Sequence, residues 1–203
     1  MTSLSANQVS NSKISELEQS IQTTFGILDS NELQAVANMF QIKSIPKGEI
    51  LLHTNKKCNH MHFILSGYIR VFVETAAKEV TQWIASKGYF LTDLSSFIFD
   101  KPARWTLQTL TDVELFSIAK SDYDSIKDII PTWPDIERLF ILHCFTTMED
   151  RVFSHLSMSA EERYQHFFTH NKELFNQVPL QYIASMLGMT AETFSRIRKK
   201  HLI

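Results

Sequence analysis

The sequence is poor in cysteine and has no long apolar run. With only Cys58 and Cys144 among 203 residues, it offers no disulfide framework and no four-cysteine set for a metal ion or an iron–sulfur cluster. Apolar runs such as Phe140, Ile141 and Leu142 fall far short of the ~20 residues that cross a bilayer. The first twenty residues are rich in Ser, Asn, Gln and Glu and, unlike a secretory signal, have no hydrophobic core. These absences predict a cytoplasmic protein with no membrane segment.

The rest of the composition is typical of a folded protein with little net charge. Apolar residues make up 44% of the chain, charged residues 21%, and the formal net charge is −2. This apolar fraction excludes disorder as the main state, and the length suits one large domain or two small ones. A small negative charge does not by itself indicate a nucleic-acid-binding domain, which is usually basic.

Two kinds of periodicity divide the chain. Residues 1–12 are predicted to be a disordered tail, and residues 13–40 are predicted to be helical because apolar residues recur every three or four positions. Asp29 and Ser30 are candidate caps within that segment. From residue 41 to 120 the runs become short, β-branched or aromatic, as in a β sandwich or barrel. The predicted strands are 42–45, 49–53, 61–65, 68–74, 80–85, 106–109 and 114–118. The fold class is therefore α+β.

Glycine is scarce as well. The chain has five, and a chain this sparing with glycine is expected to place each one where φ is positive. They are Gly26, Gly48, Gly67, Gly88 and Gly188.

A long helix is predicted after Pro134. A stripe of side chains recurs at helical spacing over roughly five turns: Ile136, Leu139, Phe140, His143, Cys144, Thr147, Met148, Arg151 and Val152. Such a helix needs a partner for its apolar face. Periodicity alone leaves two candidates open, the β-rich part of the same chain and a second subunit.

A second helical region begins after residues 157–159, the predicted domain boundary. Ser159 and Glu162 have the spacing of a capping box, so a helix over 160–170 is expected. Its inward side chains would be Tyr164, Phe167 and Phe168.

The last 26 residues predict a helix-turn-helix. Leu180, Ile183, Ala184 and Leu187 lie on one face of a short helix, which Gly188 can end in a left-handed conformation. Thr190 can then cap a second helix, Ala191 to Lys200, with Phe194 and Ile197 on its inner face.

The second helix presents a polar face of the kind that reads DNA. Glu192, Ser195 and Arg196 are the predicted base-reading residues, because arginine can pair with guanine and glutamate can accept from cytosine. The predicted phosphate contacts are Thr190, Arg198, Lys199 and Lys200. A solvated charged face on a small helical domain is the alternative interpretation. Four basic residues and one acidic residue give residues 178–203 a charge of +3 and leave −5 for residues 1–177, so the overall charge does not exclude DNA.

These motifs resemble the Crp/Fnr family of bacterial transcription regulators over about residues 25–203. The specific stretch is YIASMLGMTAETFSRIR at 182–198, and PKGE at 46–49 and MHFILSGYIRVF at 61–72 also match. The resemblance implies an N-terminal antiparallel β-roll like a cyclic-nucleotide-binding jelly roll, a long dimerisation helix and a C-terminal all-α helix-turn-helix domain. Because only residues 171–177 separate the helices, the family's β-hairpin wing is expected to be reduced or absent.

The family's cyclic-nucleotide cassette is degenerate in this sequence. The resemblance implies a Gly-Glu pair, a helical turn and an Arg followed by Ser or Thr, which together bind the ribose and cradle the cyclic phosphate. Here Thr92 replaces the glycine, Asp93 replaces the glutamate, Arg104 is shifted by one position and Trp105 follows it. These departures argue against cyclic AMP as a ligand.

Candidate pocket residues for another effector follow from the same resemblance. They are Thr92, Asp93, Leu94, Arg104, Thr147 and Met148. For Arg104 a surface ion pair beside a packed aromatic is the alternative, and for Thr147 and Met148 it is ordinary helix packing. No cofactor, metal or effector is assigned. Haem ligation by a histidine and redox sensing by Cys144 are not excluded by the sequence, but a solvated or structural histidine and a small buried apolar residue are the favoured interpretations.

The sequence thus predicts four parts: a disordered tail (1–12), a β-roll sensor domain with N-terminal helices (13–133), a dimerisation helix and hinge (134–157), and a DNA-binding domain (158–203). The predicted partners are double-stranded DNA with a palindromic operator and a second copy of the chain through helix 134–156, with RNA polymerase as a further candidate. The alternative is a small-molecule-binding module that acts through protein contacts without specific DNA binding. No catalytic motif of an enzyme is found.

Overall fold

The computed structural model describes residues 6–26 and 28–201, with side chains from residue 11 onward. Within these residues the helices are α1 (Ala6–Phe25), α2 (Ser30–Ala37), α3 (Leu94–Phe99), α4 (Lys120–Ile129), α5 (Trp133–Ser157), α6 (Ala160–His170), α7 (Leu174–Gln177), α8 (Leu180–Met186) and α9 (Ala191–His201). The strands are β1 (Gln41–Ile45), β2 (Ile50–Leu52), β3 (His60–Ser66), β4 (Ile69–Glu74), β5 (Glu79–Ala85), β6 (Phe90–Leu91), β7 (Thr106–Thr109) and β8 (Val113–Ala119).

The strands form two four-stranded antiparallel sheets. Their orders are β1-β8-β3-β6 and β2-β7-β4-β5, so neighbours in space are mostly distant in sequence, as in a jelly roll. The hydrophobic core, which the sheets share with the N-terminal helices and the start of α5, includes Phe63, Ile69, Val71, Leu107 and Leu115. The α+β fold with a β-roll and C-terminal helices is therefore confirmed.

The N-terminal helix is longer than predicted. It begins at Ala6, so the prediction of a disordered tail is wrong for residues 6–12, while residues 1–5 lie outside the described residues. The apolar stripe that includes Leu17, Ile21 and Phe25 packs into the core. Because helix propagation is easier than nucleation, this packed part can extend into polar residues that would not form a helix alone.

The predicted caps and turns agree with the structure. Asp29 with Glu32, and Ser159 with Glu162, form complete capping boxes at the starts of α2 and α6. All five glycines have positive φ. The cap at Ser159 closely follows the end of α5 at Ser157.

Candidate nucleic-acid interface

The turn between α8 and α9 has the geometry expected of a helix-turn-helix. Gly188 has φ +69°, and the Met189 N–H donates to the Ala184 carbonyl oxygen at 2.9 Å, which ends α8. The Thr190 Oγ1 accepts from the Thr193 N–H at 3.2 Å and caps α9. Phe194 and Ile197 are buried, as predicted.

The opposite face of α9 points to solvent. Glu192, Ser195, Arg196 and Lys199 are exposed and lie along one side of the helix, which is ~16 Å long. No salt bridge engages Arg196 or Lys199 among the described residues. Hydrogen bonds from its own backbone and from Thr190 lower the pKa of Glu192, which keeps it ionised. The four predicted side chains therefore form one accessible polar surface.

The C-terminal end of α9 is tied to α6. Lys200 Nζ and His201 Nε2 lie 2.8 and 2.9 Å from Glu161 Oε1. The hydrogen bond from Lys200 is the main reason that the pKa of Glu161 is lowered. Arg198 is half-buried near the start of α8. Of the predicted phosphate contacts, Lys200 thus already has a protein partner, whereas Lys199 is unpaired within the described residues.

Arg151, a member of the predicted stripe of α5, and Arg163, which the sequence did not single out, hold the end of α8. Arg151 Nη2 on α5 donates to the Met186 carbonyl oxygen at 3.1 Å, and Arg163 Nε on α6 donates to the Leu187 carbonyl oxygen at 3.0 Å. Carbonyl groups in the last turn of a helix lack helical partners, so these cations satisfy them. Only the tertiary arrangement shows this role, because both arginines look like ordinary surface residues of amphipathic helices.

The described residues that precede the helix pair contain no wing. Residues 171–179, all of them described, form α7 and no strand.

The solvent side of α5 is a second candidate surface. The helix packs Trp133 and Phe140 into the core, where both stack on Phe25 of α1, but leaves a long apolar face exposed. Its exposed apolar side chains are Leu139, Ile141, Leu142, Phe145, Met148, Val152, Phe153 and Leu156. Monomeric proteins rarely expose so continuous an apolar face. Among the described residues, one side of this helix thus packs on its own chain and the other side is exposed.

In the segment that matches the cyclic-nucleotide cassette, the Asp93 carboxylate binds backbone N–H groups of its own chain. It is 2% exposed and caps α3 by accepting from the Ser96 N–H at 2.9 Å. Its second carboxylate oxygen, Oδ2, accepts from the backbone N–H groups of Arg104 and Trp105 at 2.8 and 3.2 Å. The carboxylate thus occupies backbone donors of the segment that the resemblance associates with phosphate binding.

The predicted effector-pocket residues fall into two separate groups, Thr92, Asp93, Leu94 and Arg104 in the cassette and Thr147 and Met148 on α5. The Arg104 guanidinium is exposed beside Trp105, and the Thr92 Oγ1 donates to the His60 carbonyl oxygen. Leu94 is half-buried against the roll interior. Thr147 and Met148 instead line a cavity of about 400 Å³ between α5 and the roll, which Thr92, Asp93, Leu94 and Arg104 do not reach.

A larger cavity lies between the roll and the C-terminal helices. Its volume is about 730 Å³, and it is lined by aromatic and histidine side chains that include Tyr68, Trp83, Tyr89, His166 and His170. Ligand sites often lie between domains and have volumes of this order.

Two titratable groups of the sensor region have shifted pKa values. Burial, reinforced by the neighbouring charges of His60 and Lys43, lowers the pKa of His62 to about 3, and its Nδ1 atom is buried without a hydrogen-bond partner. Burial raises the pKa of the Cys144 thiol, which lowers the thiolate fraction that redox chemistry requires. No group of three or more potential metal ligands occurs in the part of the chain that the structure describes.

Residues 42–128 match the family of cyclic nucleotide-binding domains. Among solved structures, the regulatory domain of Toxoplasma gondii PKA with cAMP is 17% identical (TM-score 0.52), with 57% of this chain and 44% of that chain covered, so this chain spans less than half of it. The c-di-GMP-responsive global regulator CLP of Xanthomonas campestris is 17% identical (TM-score 0.65), with 86% of this chain and 92% of that chain covered. The catabolite activator protein of Thermus thermophilus is 18% identical (TM-score 0.55; 87% and 85% covered).

No curated protein matches the chain by sequence. The structural similarity to CLP and the catabolite activator protein extends over both the roll and the C-terminal helices, and it confirms the resemblance to Crp/Fnr regulators at the level of fold. None of the helices in the described residues is both long enough and apolar enough to span a membrane.

Proposed function

We propose, from a fold shared with Crp-like regulators, that this chain is a homodimeric transcription regulator that binds double-stranded DNA through α9. The observation that carries this proposal is the exposed face of Glu192, Ser195, Arg196 and Lys199 on a helix whose other face is fixed. A surface that only stabilises the fold would not need an arginine and a lysine that lack salt-bridge partners among the described residues and that lie on a helix of fixed orientation.

The residues of α9 have distinct proposed roles. Arg196 reads guanine through its two parallel donors, and Glu192 accepts from cytosine. Ser195 lies between them on the same face. Lys199 and Arg198 contact phosphates, with Thr190 at the helix start. Lys200 serves first to hold α9 through Glu161, and it reaches a phosphate only by leaving that partner.

The proposed dimer forms through α5. Covering the apolar face of that helix with the same face of a second copy explains why residues such as Leu142, Phe145, Phe153 and Leu156 are exposed in the single chain. A two-fold dimer places two α9 helices against two half-sites about one helical turn apart, so the operator is palindromic.

We further propose that the roll does not respond to cyclic AMP. The Asp93 carboxylate supports this because it already occupies the N–H groups of Arg104 and Trp105, and a bound phosphate would have to displace a buried negative charge. Titration with cyclic AMP up to millimolar concentration is expected to change neither tryptophan fluorescence nor DNA affinity. Saturable binding below that range would contradict the proposal.

The domain division proposed from the sequence, with a sensor region to residue 133, a dimerisation helix and hinge at 134–157 and a DNA-binding domain from 158, fits this role. A cytoplasmic location and RNA polymerase as a further partner are part of the same proposal. The chain acts as a regulator and not as an enzyme.

Selection from a random duplex pool tests the function. The purified protein is expected to enrich a palindrome with half-sites about 10 base pairs apart. The Lys56→Ala variant is the matched control, because Lys56 is an exposed lysine of the loop between β2 and β3, and this variant should enrich the same sequence. If the parent enriches no sequence, the alternative of a small-molecule-binding module, to which the 730 Å³ cavity is suited, gains support.

A further inference from the structure

The outer face of the second sheet is covered by α8. Along β4, Ile69 and Val71 point into the roll, whereas Arg70 and Phe72 point outward in the alternation of a strand. On β5, Ile84 belongs to the hydrophobic cluster of the C-terminal helices. The β4–β5 part of this sheet is therefore covered on both faces, and its outer face is the docking surface for the helix-turn-helix.

Arg70 is the central residue of that docking surface. It is 2% exposed, its Nε donates to Thr81 Oγ1 at 2.9 Å and its Nη1 donates to Glu79 Oε2 at 2.7 Å. Its Cζ lies 4.1 Å from the ring centroid of Phe72 and 3.7 Å from that of Tyr182 on α8. A buried guanidinium is tolerated only with such complete neutralisation and stacking. Of its four partners, only Tyr182 belongs to the C-terminal domain.

The neighbouring contacts fix the rest of α8. The Thr81 N–H donates to Ser185 Oγ at 3.0 Å, one turn after Tyr182. The arginine contacts to the Met186 and Leu187 carbonyls hold the end of the helix. Because the Phe194 and Ile197 side chains of α9 pack in the same hydrophobic cluster as Ile183 and Ala184, the orientation of α9 follows that of α8.

We propose that Arg70 is a positioning residue for DNA recognition, which sets the orientation of α9 relative to the sensor roll through its stack on Tyr182. The inference rests on the proposed function. In a dimer whose subunits join through α5, this orientation sets the distance between the two recognition helices. Arg70 therefore determines which half-site spacing the protein accepts.

Substitutions at Tyr182 test this without disturbing the buried strand. Tyr182→Phe keeps the aromatic face and Tyr182→Leu removes it, while Arg70→Met tests the other side of the contact. Each variant is titrated with duplexes that carry the selected half-sites at the preferred spacing and at spacings changed by one and two base pairs. Tyr182→Phe is expected to discriminate between spacings as the parent does. In Tyr182→Leu, the ratio of the affinities for the preferred and the altered spacings should fall about tenfold, which is the order of effect that one desolvated cation–π contact supplies.

A second measurement does not depend on DNA. The Thr81 amide is bonded across the same interface, so its hydrogen exchange reports docking of α8. Exchange in residues 79–82 should be about tenfold faster in Tyr182→Leu and unchanged in Tyr182→Phe. Unchanged exchange in Tyr182→Leu, or full spacing discrimination by that variant, would overturn the proposal. If the parent binds no DNA while the exchange result holds, the function fails and the docking role of Arg70 stands.

Discussion

Truncation of Phe153 on the exposed face of α5 should weaken the dimer by a predictable amount. Phe153 is 68% exposed in the single chain. Full burial of a phenylalanine side chain contributes about 1.5–3 kcal/mol, so burying the remaining two thirds contributes about 1–2 kcal/mol per copy. With two copies in a dimer, Phe153→Ala should raise the dimer dissociation constant by about 30-fold to 1,000-fold.

Replacement of Glu149, on the same face of α5, should have the opposite effect on the affinity of the dimer. It lies one turn from both Phe145 and Phe153, in the middle of the apolar stripe. A dimer there must bury two like charges close together, so Glu149→Leu should tighten it.

Sedimentation equilibrium over a dilution series measures both effects. Ile42→Ala is the control, because Ile42 is an apolar side chain 47% exposed on β1, away from α5. The reasoning is refuted if Phe153→Ala and Ile42→Ala dimerise as strongly as the parent, or if Glu149→Leu weakens the dimer.

Three further predictions concern the helix-turn-helix, the cassette and the sensor sheet. Lys199→Ala should weaken binding to all DNA sequences alike and reduce the slope of log affinity against log salt by about 1 per subunit, whereas an unchanged slope would exclude a phosphate contact. Asp93→Ala leaves three backbone N–H groups without their acceptor and should lower the free energy of unfolding in urea by about 3 kcal/mol; a loss under 1 kcal/mol would show that water replaces it. Because the folded-state pKa of His62 is about 3, below the unfolded value of 6.5, the unfolded state binds more protons below pH 6.5. The stability that His62 contributes is therefore present at pH 7 and should be about 2 kcal/mol smaller at pH 5. His62→Gln should lose less stability than the parent over this range in urea titrations, and an equal loss would contradict the assignment.

The features that the sequence predicts well are local ones. Ser159 with Glu162, Gly188 and Thr190 act within one or two turns of their own position, so spacing alone identifies the cap, the left-handed turn and the second cap. The polar face of α9 follows from helical periodicity in the same way.

The features that the sequence does not reveal depend on distant segments. Asp93 reads as a weakened ligand residue, but its role comes from the backbone of residues 104–105, which the roll brings beside it. In the sequence alone, Arg70 has the character of a solvent-facing strand residue. Only the docking of Tyr182, more than 100 positions later in the chain, buries it. The alternation of Tyr68, Arg70 and Phe72 is a signal that was present, because aromatic side chains on an outer face indicate a sheet covered on both sides.

The central claim, that the exposed face of α9 reads DNA as a two-fold pair, is tested most directly at Arg196. Affinities of the parent and of Arg196→Ala are measured against a library with every base pair of the selected operator changed in turn. Arg196→Ala is expected to lose about 1–3 kcal/mol of binding free energy per half-site and to lose its preference at one base pair, at the two symmetry-related positions. If Arg196→Ala binds every operator variant as tightly as the parent, α9 does not read DNA through this face.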